Sequence, residues 1–217
     1  MPVRIDLVER AAREALVLAA LSLPKRRSVD LVGDKLSLTR AERAAVERLV
    51  RWPEEVALAA SKLTPPSLAS GRSIGVDGYN VLITVEAMLL GEPVFLCTDG
   101  LLRDLRGVFS SYRPSDVTER AMELIVDALS GLSPAEVLLA FDEPMSRSGE
   151  MAAMAREKMS EAGLTGTSVT HRQVDTLISG FEIAASSDVA VIERARAVID
   201  LPALVADSIG YRPNVIW

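Results

Sequence analysis

The chain has one cysteine, Cys97, and one histidine, His171. A lone thiol excludes an internal disulfide framework and any zinc site built from several cysteines. Its place in an apolar run makes it a buried structural thiol. A single imidazole disfavours zinc and histidine-based acid–base chemistry. Aromatic residues are only 4% of the 217 positions, so a core drawn from the 49% apolar residues has to be aliphatic. That suits helices packed on a parallel sheet. No apolar run reaches the roughly 18 residues that a membrane helix needs. The longest candidate, residues 15–23, is followed by Lys25, Arg26 and Arg27. The start, MPVRIDLVER, is charged and amphipathic and lacks the basic-then-apolar layout of a signal peptide. A cytoplasmic protein is expected. Lysine is scarce, 4 against 20 arginines, and the only amides are Asn80, Asn214 and Gln173. Scarcity of thermolabile amides is a feature of heat-adapted proteins, although GC-rich codon usage would also enrich arginine.

The net charge of −6 is unevenly spread. Residues 1–66 carry 12 basic and 9 acidic side chains, a net of +3, and residues 67–217 carry 12 basic and 21 acidic, a net of −9. An acidic domain repels nucleic acid unless metal ions or a basic neighbour offset its charge.

The first 66 residues read as a helical module. Ile5, Val8, Ala12, Leu16, Ala19 and Ala20 recur at helical spacing, and Pro24 ends that helix. Ser28 is placed to cap a short helix over residues 29–32 that Gly33 would stop. Thr39 followed by Glu42 forms a capping-box pattern that opens a helix to about Arg51. Pro53 can start another, to about Lys62. Thr64-Pro65-Pro66-Ser67 and Ser70-Gly71 mark a linker. Beyond it, short apolar runs alternate with helical segments. Strands are expected at 73–77, 93–97, 137–141, 168–171, 182–185 and 197–199. The fold class is therefore α/β: a mostly parallel sheet with helices on both faces, over residues 67–217.

Several of these strands end in a carboxylate: Asp77, Asp99, Asp142, Asp188 and, at the last, Asp200. In open α/β sheets, ligands bind beyond the carboxyl ends of the strands. Acids far apart in sequence converge there, and like charges held together call for a counter-ion. Mg2+ or Mn2+ supplies one, since hard cations prefer oxygen ligands. Such an ion polarises a phosphodiester and lowers the pKa of bound water. His171 is expected to lie outside the cluster. The plainer reading is that each Asp caps the following helix or closes a turn.

Val76-Asp77-Gly78-Tyr79-Asn80-Val81-Leu82 resembles the first motif of PIN-like and NYN ribonuclease domains. Ala185-Ser186-Ser187-Asp188 resembles their late motif, and Asp142 stands where the middle strand's acid belongs. The resemblance covers residues 73–204. It implies a PIN-like fold with Asp77, Asp142 and Asp188 as metal ligands, and Asn80 and Ser187 orienting the metal or the scissile phosphate. Asp99 and Glu86 follow as secondary ligands, Glu86 for the acid that such domains carry in the helix after the first strand. The whole chain is also similar to an uncharacterised, largely archaeal family that joins a short helical module to such a domain. Asp77-Gly78-Tyr79-Asn80, Asp99-Gly100, Arg103-Asp104 and Ser146-Arg147-Ser148-Gly149 carry that likeness.

Ser146, Arg147, Ser148 and Gly149 also resemble a phosphate-binding turn, small hydroxyls, a glycine and an arginine ahead of a helix. Alternatively, Ser148 simply caps that helix. Arg103 and Asp104 form an ion pair or place a phosphate, unless they are simply solvated at the surface. The expected activity is a metal-dependent phosphodiesterase acting on RNA. Lys25, Arg26, Arg27, Arg40, Arg43, Arg48 and Arg51 would contact phosphates, unless they are a solvated face. A non-catalytic RNA-binding or assembly module, and a small-molecule phosphohydrolase, are the competing readings. The apolar end Val215-Ile216-Trp217 suggests docking on a second copy, or self-packing.

Overall fold

The computed structural model describes residues 4–106 and 112–217. Four helices come first: α1 (Ile5–Ala20), α2 (Lys25–Lys35), α3 (Arg40–Leu49) and α4 (Pro53–Lys62). Helix α1 buries Val8, Ala11, Ala12, Ala15 and Ala19, one stripe at 3.6-residue spacing. Helix α2 begins directly after Pro24, three residues before Ser28, and runs through Gly33. Gly33 does not stop the helix. A Cβ there would stand 2.3 Å from Nη1 of Arg43, so its hydrogen lets the Arg43 side chain cross the helix. The Thr39–Glu42 capping box forms as expected, with Glu42 N donating to Thr39 Oγ1 at 3.2 Å and Thr39 N to Glu42 Oε2 at 2.8 Å.

After the linker come β1 (Ser73–Asp77), α5 (Gly78–Leu89), β2 (Val94–Leu96), β3 (Leu102–Asp104) and α6 (Thr118–Gly131). These are followed by β4 (Glu136–Asp142), α7 (Ser148–Glu161), β5 (Gly166–His171), α8 (Val174–Ile178), β6 (Ile183–Ala185), α9 (Val189–Arg194), α10 (Leu201–Ile209) and β7 (Asn214–Val215). The main sheet has the order β5-β4-β1-β6 with every pair parallel, so the carboxyl ends of all four strands share one edge. Its two faces alternate as the pleat requires. Ile74, Val76, Leu139, Phe141, Ile183 and Ala185 join a core with α5, α6, α7 and α10. Ala140 and Ala184 face the other way, onto α8, α9 and Ala59 of α4. Gly75 also faces α8. A Cβ there would lie 2.9 Å from the Ile178 backbone, so the strand can lie this close to that helix only with glycine.

Two expectations are corrected. The run at 93–97 is a strand, but it belongs to a separate sheet of order β3-β2-β7, antiparallel to β3. The segment 197–199 contributes only bridges, Val198 to Leu63 and to Ala184. Those bridges order the linker, with Thr64 N donating to Val198 O at 2.7 Å.

The helical module is not an independent core. Its apolar side chains cluster with Phe95, Cys97, Leu105 and Ile216 from beyond the linker. Full burial of a side chain such as Phe95 stabilises by about 2–3 kcal/mol, and Phe95 is completely enclosed. At the C-terminus Ile216 is buried in this core while Val215 and Trp217 stay exposed.

Candidate carboxylate site

Asp77 ends β1 and caps α5: Asn80 N donates to its Oδ1 at 3.1 Å. Gly78 is required beside it, because a Cβ would meet the Phe141 ring at 2.5 Å. The other carboxylate oxygen of Asp77 accepts from Ser186 Oγ at 3.0 Å, and Ser186 Oγ accepts in turn from Asp188 N at 3.1 Å. Asn80 Oδ1 accepts from both Ser187 N at 2.9 Å and Ser187 Oγ at 3.0 Å. The amide proton of Ser187 fixes which end of the Asn80 amide is the oxygen. Its nitrogen keeps two donors without an acceptor among the described residues. Asp188 caps α9 through Ala190 N at 2.7 Å. Asp77, Asn80, Ser187 and Asp188 thus lie in one hydrogen-bonded unit that joins the ends of β1 and β6, neighbours in the sheet.

Asp142 ends β4, the other neighbour of β1. A fourth acid, Asp175, stands in the first turn of α8. Burial pushes the Asp77 carboxyl up to about 7, and the charges of Asp142 and Asp175 add to it against the hydrogen bonds from Asn80 and Ser186. Asp142 is raised by burial, then by Asp175 and Asp188. Asp175 is raised by burial, then by Asp188, with Arg194 opposing. None of the four acids forms an ion pair among the described residues. No three His, Cys, Asp or Glu side chains are drawn together tightly enough to hold a metal ion as placed, among the described residues. The donor chemistry still fits a hard cation: all oxygen, half-buried or buried, and without a bound Lys or Arg. His171 ends β5 on this edge, opposite Asp142 in the β4–β5 register, with Nδ1 accepting from Gln173 N at 3.0 Å.

Other expected residues lie elsewhere. Asp99 follows β2, in the other sheet, and its oxygens accept from Nη1 and Nη2 of Arg103, each at 2.7 Å. Arg103 is fully enclosed, and its Nε and Nη2 also donate to the Ser187 carbonyl at 3.1 and 2.7 Å. A fully enclosed guanidinium does not reach a solvent phosphate, and Arg103 pairs with Asp99 rather than Asp104. Glu86 is enclosed in α5, accepting from Thr118 Oγ1, from Tyr112 Oη at 3.1 Å and from Arg106 Nη1 at 3.3 Å. Asp200 caps α10 and accepts from Leu102 N at 2.7 Å, tying down β3.

The Ser146–Gly149 turn borders the site: Tyr79 Oη donates to Ser146 O at 3.1 Å. Ser148 does not cap the helix. Arg147 occupies that position with φ +62°, and Ser148 Oγ donates to Glu143 O at 3.3 Å. Arg147 and Gly149 are exposed, with Arg147 3.7 Å from Glu150.

The basic face of the helical module is smaller than its sequence suggests. Lys25 pairs with Glu55 at 2.7 Å and Arg43 with Asp34 at 2.6 Å. Arg48 pairs with Asp104 at 3.2 Å and Arg51 with Asp99 at 3.8 Å. Arg26, Arg27 and Arg40 remain exposed.

Sequence reasoning missed Asp175, which follows its strand by four residues instead of ending it. Its place just after the expected strand at 168–171 was the available signal. It also missed the pairing of Asp99 with Arg103, four residues on, and the pairing of Asp99 with Arg51 and of Asp104 with Arg48, for which no local signal exists.

No helix among the described residues is long and apolar enough to cross a membrane. No solved structure matches the chain. The Uncharacterized protein MJ0935 of Methanocaldococcus jannaschii is 28% identical over 206 residues, which span 94% of this chain and 97% of that protein. Residues 66–204, well over half of the chain, match the family described as Domain of unknown function (DUF5616), so the chain belongs to that family.

Proposed function

We propose that this protein is a divalent-metal-dependent phosphodiesterase, that its substrate class is RNA, and that Asp77, Asp142, Asp175 and Asp188 hold Mg2+ or Mn2+. One observation carries the reading: the carboxyl edge of a parallel sheet gathers four acids with no cationic side chain bound to them among the described residues, and burial and then neighbouring negative charge raise the proton affinity of Asp77, Asp142 and Asp175. Like charges in that arrangement favour a divalent cation as the partner.

A cation held there would polarise a phosphodiester and acidify a coordinated water. The remaining roles fall to the chain's own side chains. Asn80, its oxygen held by Ser187, turns its amide donors toward a phosphate oxygen. Ser186 bridges Asp77 and the Asp188 amide, fixing these two acids relative to each other. Asp188 keeps one carboxylate oxygen for the cation while the other caps its helix. Arg26, Arg27 and Arg40 supply phosphate contacts away from the acids.

The experiment is cleavage of single-stranded RNA with Mn2+ by the wild type, Asp77→Asn and Asp142→Asn, with Mn2+ affinity measured alongside. Each variant is expected to lose cleavage by about a hundredfold or more, with weakened Mn2+ binding. Cleavage at the wild-type rate in both variants would remove these acids from catalysis.

A further inference from the structure

We infer that the helical module is part of the machinery of the carboxylate site, positioning it through two buried polar lines that meet at the Asn80–Ser187 hydrogen bond. The inference rests on the proposed role of that site.

The first line starts at Arg51, between α3 and α4. Its side chain is 10% exposed and pairs with Asp99 at 3.8 Å. Asp99 grips Arg103 through two hydrogen bonds of 2.7 Å, and Arg103 closes on the Ser187 carbonyl with two more. Arg51 N also donates to Thr98 Oγ1 at 2.8 Å, which holds the turn carrying Asp99. The second line starts at Arg48. Its Nε donates to the Asp104 carbonyl at 2.7 Å and its Nη2 to Asp104 Oδ2 at 3.2 Å. The Thr84 hydroxyl stands 2.9 Å from both Asp104 Oδ2 and the Asn80 carbonyl, its one proton shared between them.

Each line therefore ends on the backbone of one partner in the pair that closes the site. Asn80 is held from the α5 side and Ser187 from the β6 side. The Arg103–Asp99 and Arg48–Asp104 links are charged hydrogen bonds, which are directional and resist small displacements, whereas Arg51 faces Asp99 as an ion pair at 3.8 Å with no hydrogen bond from its Nε among the described residues. A guanidinium that spends its donors on one carboxylate and one carbonyl fixes the loop ahead of Asp188 to a rigid element. Arg48, Arg51, Asp99, Asp104 and Arg103 reach the site through the backbone of Asn80 and Ser187; they are positioning residues.

Arg51→Met, Arg51→Lys and Arg48→Met are compared with Arg43→Met in the full chain. Arg43 is a matched control, since its ion pairs, to Asp30 and Asp34, stay inside the module. The readouts are backbone amide exchange at Asn80, Ser187 and Asp188 without metal, and Mn2+ affinity. Arg51→Met is expected to speed exchange at Ser187 and Asp188 by about tenfold or more and to weaken Mn2+ by a similar factor. Arg51→Lys should recover most of both, and Arg43→Met should change neither. Arg48→Met should act first at Asn80, and it carries the comparison if Arg51→Met does not fold. Wild-type exchange at these amides in the Arg51 and Arg48 variants, or an equal effect of Arg43→Met, would overturn the inference. If the wild type binds no Mn2+, the phosphodiesterase reading fails by itself and amide exchange still decides the coupling.

Discussion

Two groups of buried or half-buried acids follow apolar segments of this chain, in surroundings of opposite character. Against the helical module, Asp99 and Asp104 meet Arg103, Arg51 and Arg48. At the edge of the main sheet, Asp77, Asp142, Asp175 and Asp188 meet one another. Burial penalises the charged form in both places. A guanidinium cancels that penalty in the first place; in the second, neighbouring charges enlarge it. Carboxylates paired with guanidinium groups and carboxylates without a cationic partner can thus share a sequence signature and differ only in what the fold brings to face them. The difference can be measured, because the same substitution should have opposite signs in the two regions.

The largest effect is expected at the paired acids. Asp99→Asn leaves Arg103, fully enclosed, without its counter-charge. Removing one partner of a buried ion pair costs about 3–5 kcal/mol. Urea unfolding at pH 7.5 should show a loss near the lower figure, since asparagine keeps one acceptor. Stability equal to wild type would mean that the pair is not what anchors β3.

The opposite sign is expected at Asp77. Its folded pKa, pushed up to about 7, lies above the unfolded value of roughly 3.9. Between those values the folded state keeps a proton that the unfolded state has released, so stability falls as pH rises through this window and levels off above it. Asp200, pushed up to about 6 by burial, adds to the same decline. In EDTA at pH 8, Asp77→Asn should therefore be more stable than wild type, by about 2 kcal/mol after the weakened Ser186 contact is counted. Its decline between pH 4 and 7 should also be shallower, and Mn2+ should restore wild-type stability at pH 8 but not that of the variant. A destabilised Asp77→Asn at pH 8 would place Asp77 among the structural acids.

A smaller effect of the other sign belongs to Glu42, whose carboxyl is held below the usual range by its hydrogen bond to Arg4. Its contribution is present above the unfolded pKa of roughly 4.3 and is lost as pH falls. Glu42→Gln should flatten the acid limb of the stability profile and leave the decline from pH 4 to 7 untouched.

The sequence made β1 and β4 legible because each is an apolar run that stops at a capping or turn-forming acid. The Asp77–Asn80 spacing and the Ser186–Asp188 stretch marked residues that do meet. Asp99 misled because strand-then-acid is a local pattern, whereas sheet membership is not. The run around Phe95 pairs with residues 102–104 and with 214–215 at the far end of the chain. Arg48 and Arg51 misled for the same reason: Asp104 and Asp99 lie 56 and 48 positions away, beyond any helical or strand spacing, while the Arg51–Glu55 pair is local. Asp175 stayed hidden on a five-residue helix whose short length gives no periodic signal.

The smallest effect is expected at what remains of the basic face. Arg26, Arg27 and Arg40 are exposed, while Lys25, Arg43, Arg48 and Arg51 are committed to carboxylates. Replacing the three exposed arginines by glutamine should leave folding stability within about 0.5 kcal/mol of wild type, as for surface sites generally. If they contact RNA phosphates, each releases a counterion on binding, and the slope of log affinity against log salt should fall by about 0.7 per arginine for a single strand. The triple variant should thus bind RNA more weakly at low salt with a slope shallower by about 2, while hydrolysing a small phosphodiester with Mn2+ at the wild-type rate. An unchanged slope would confine the module to positioning the acids, with RNA contacted, if at all, from the sheet edge itself.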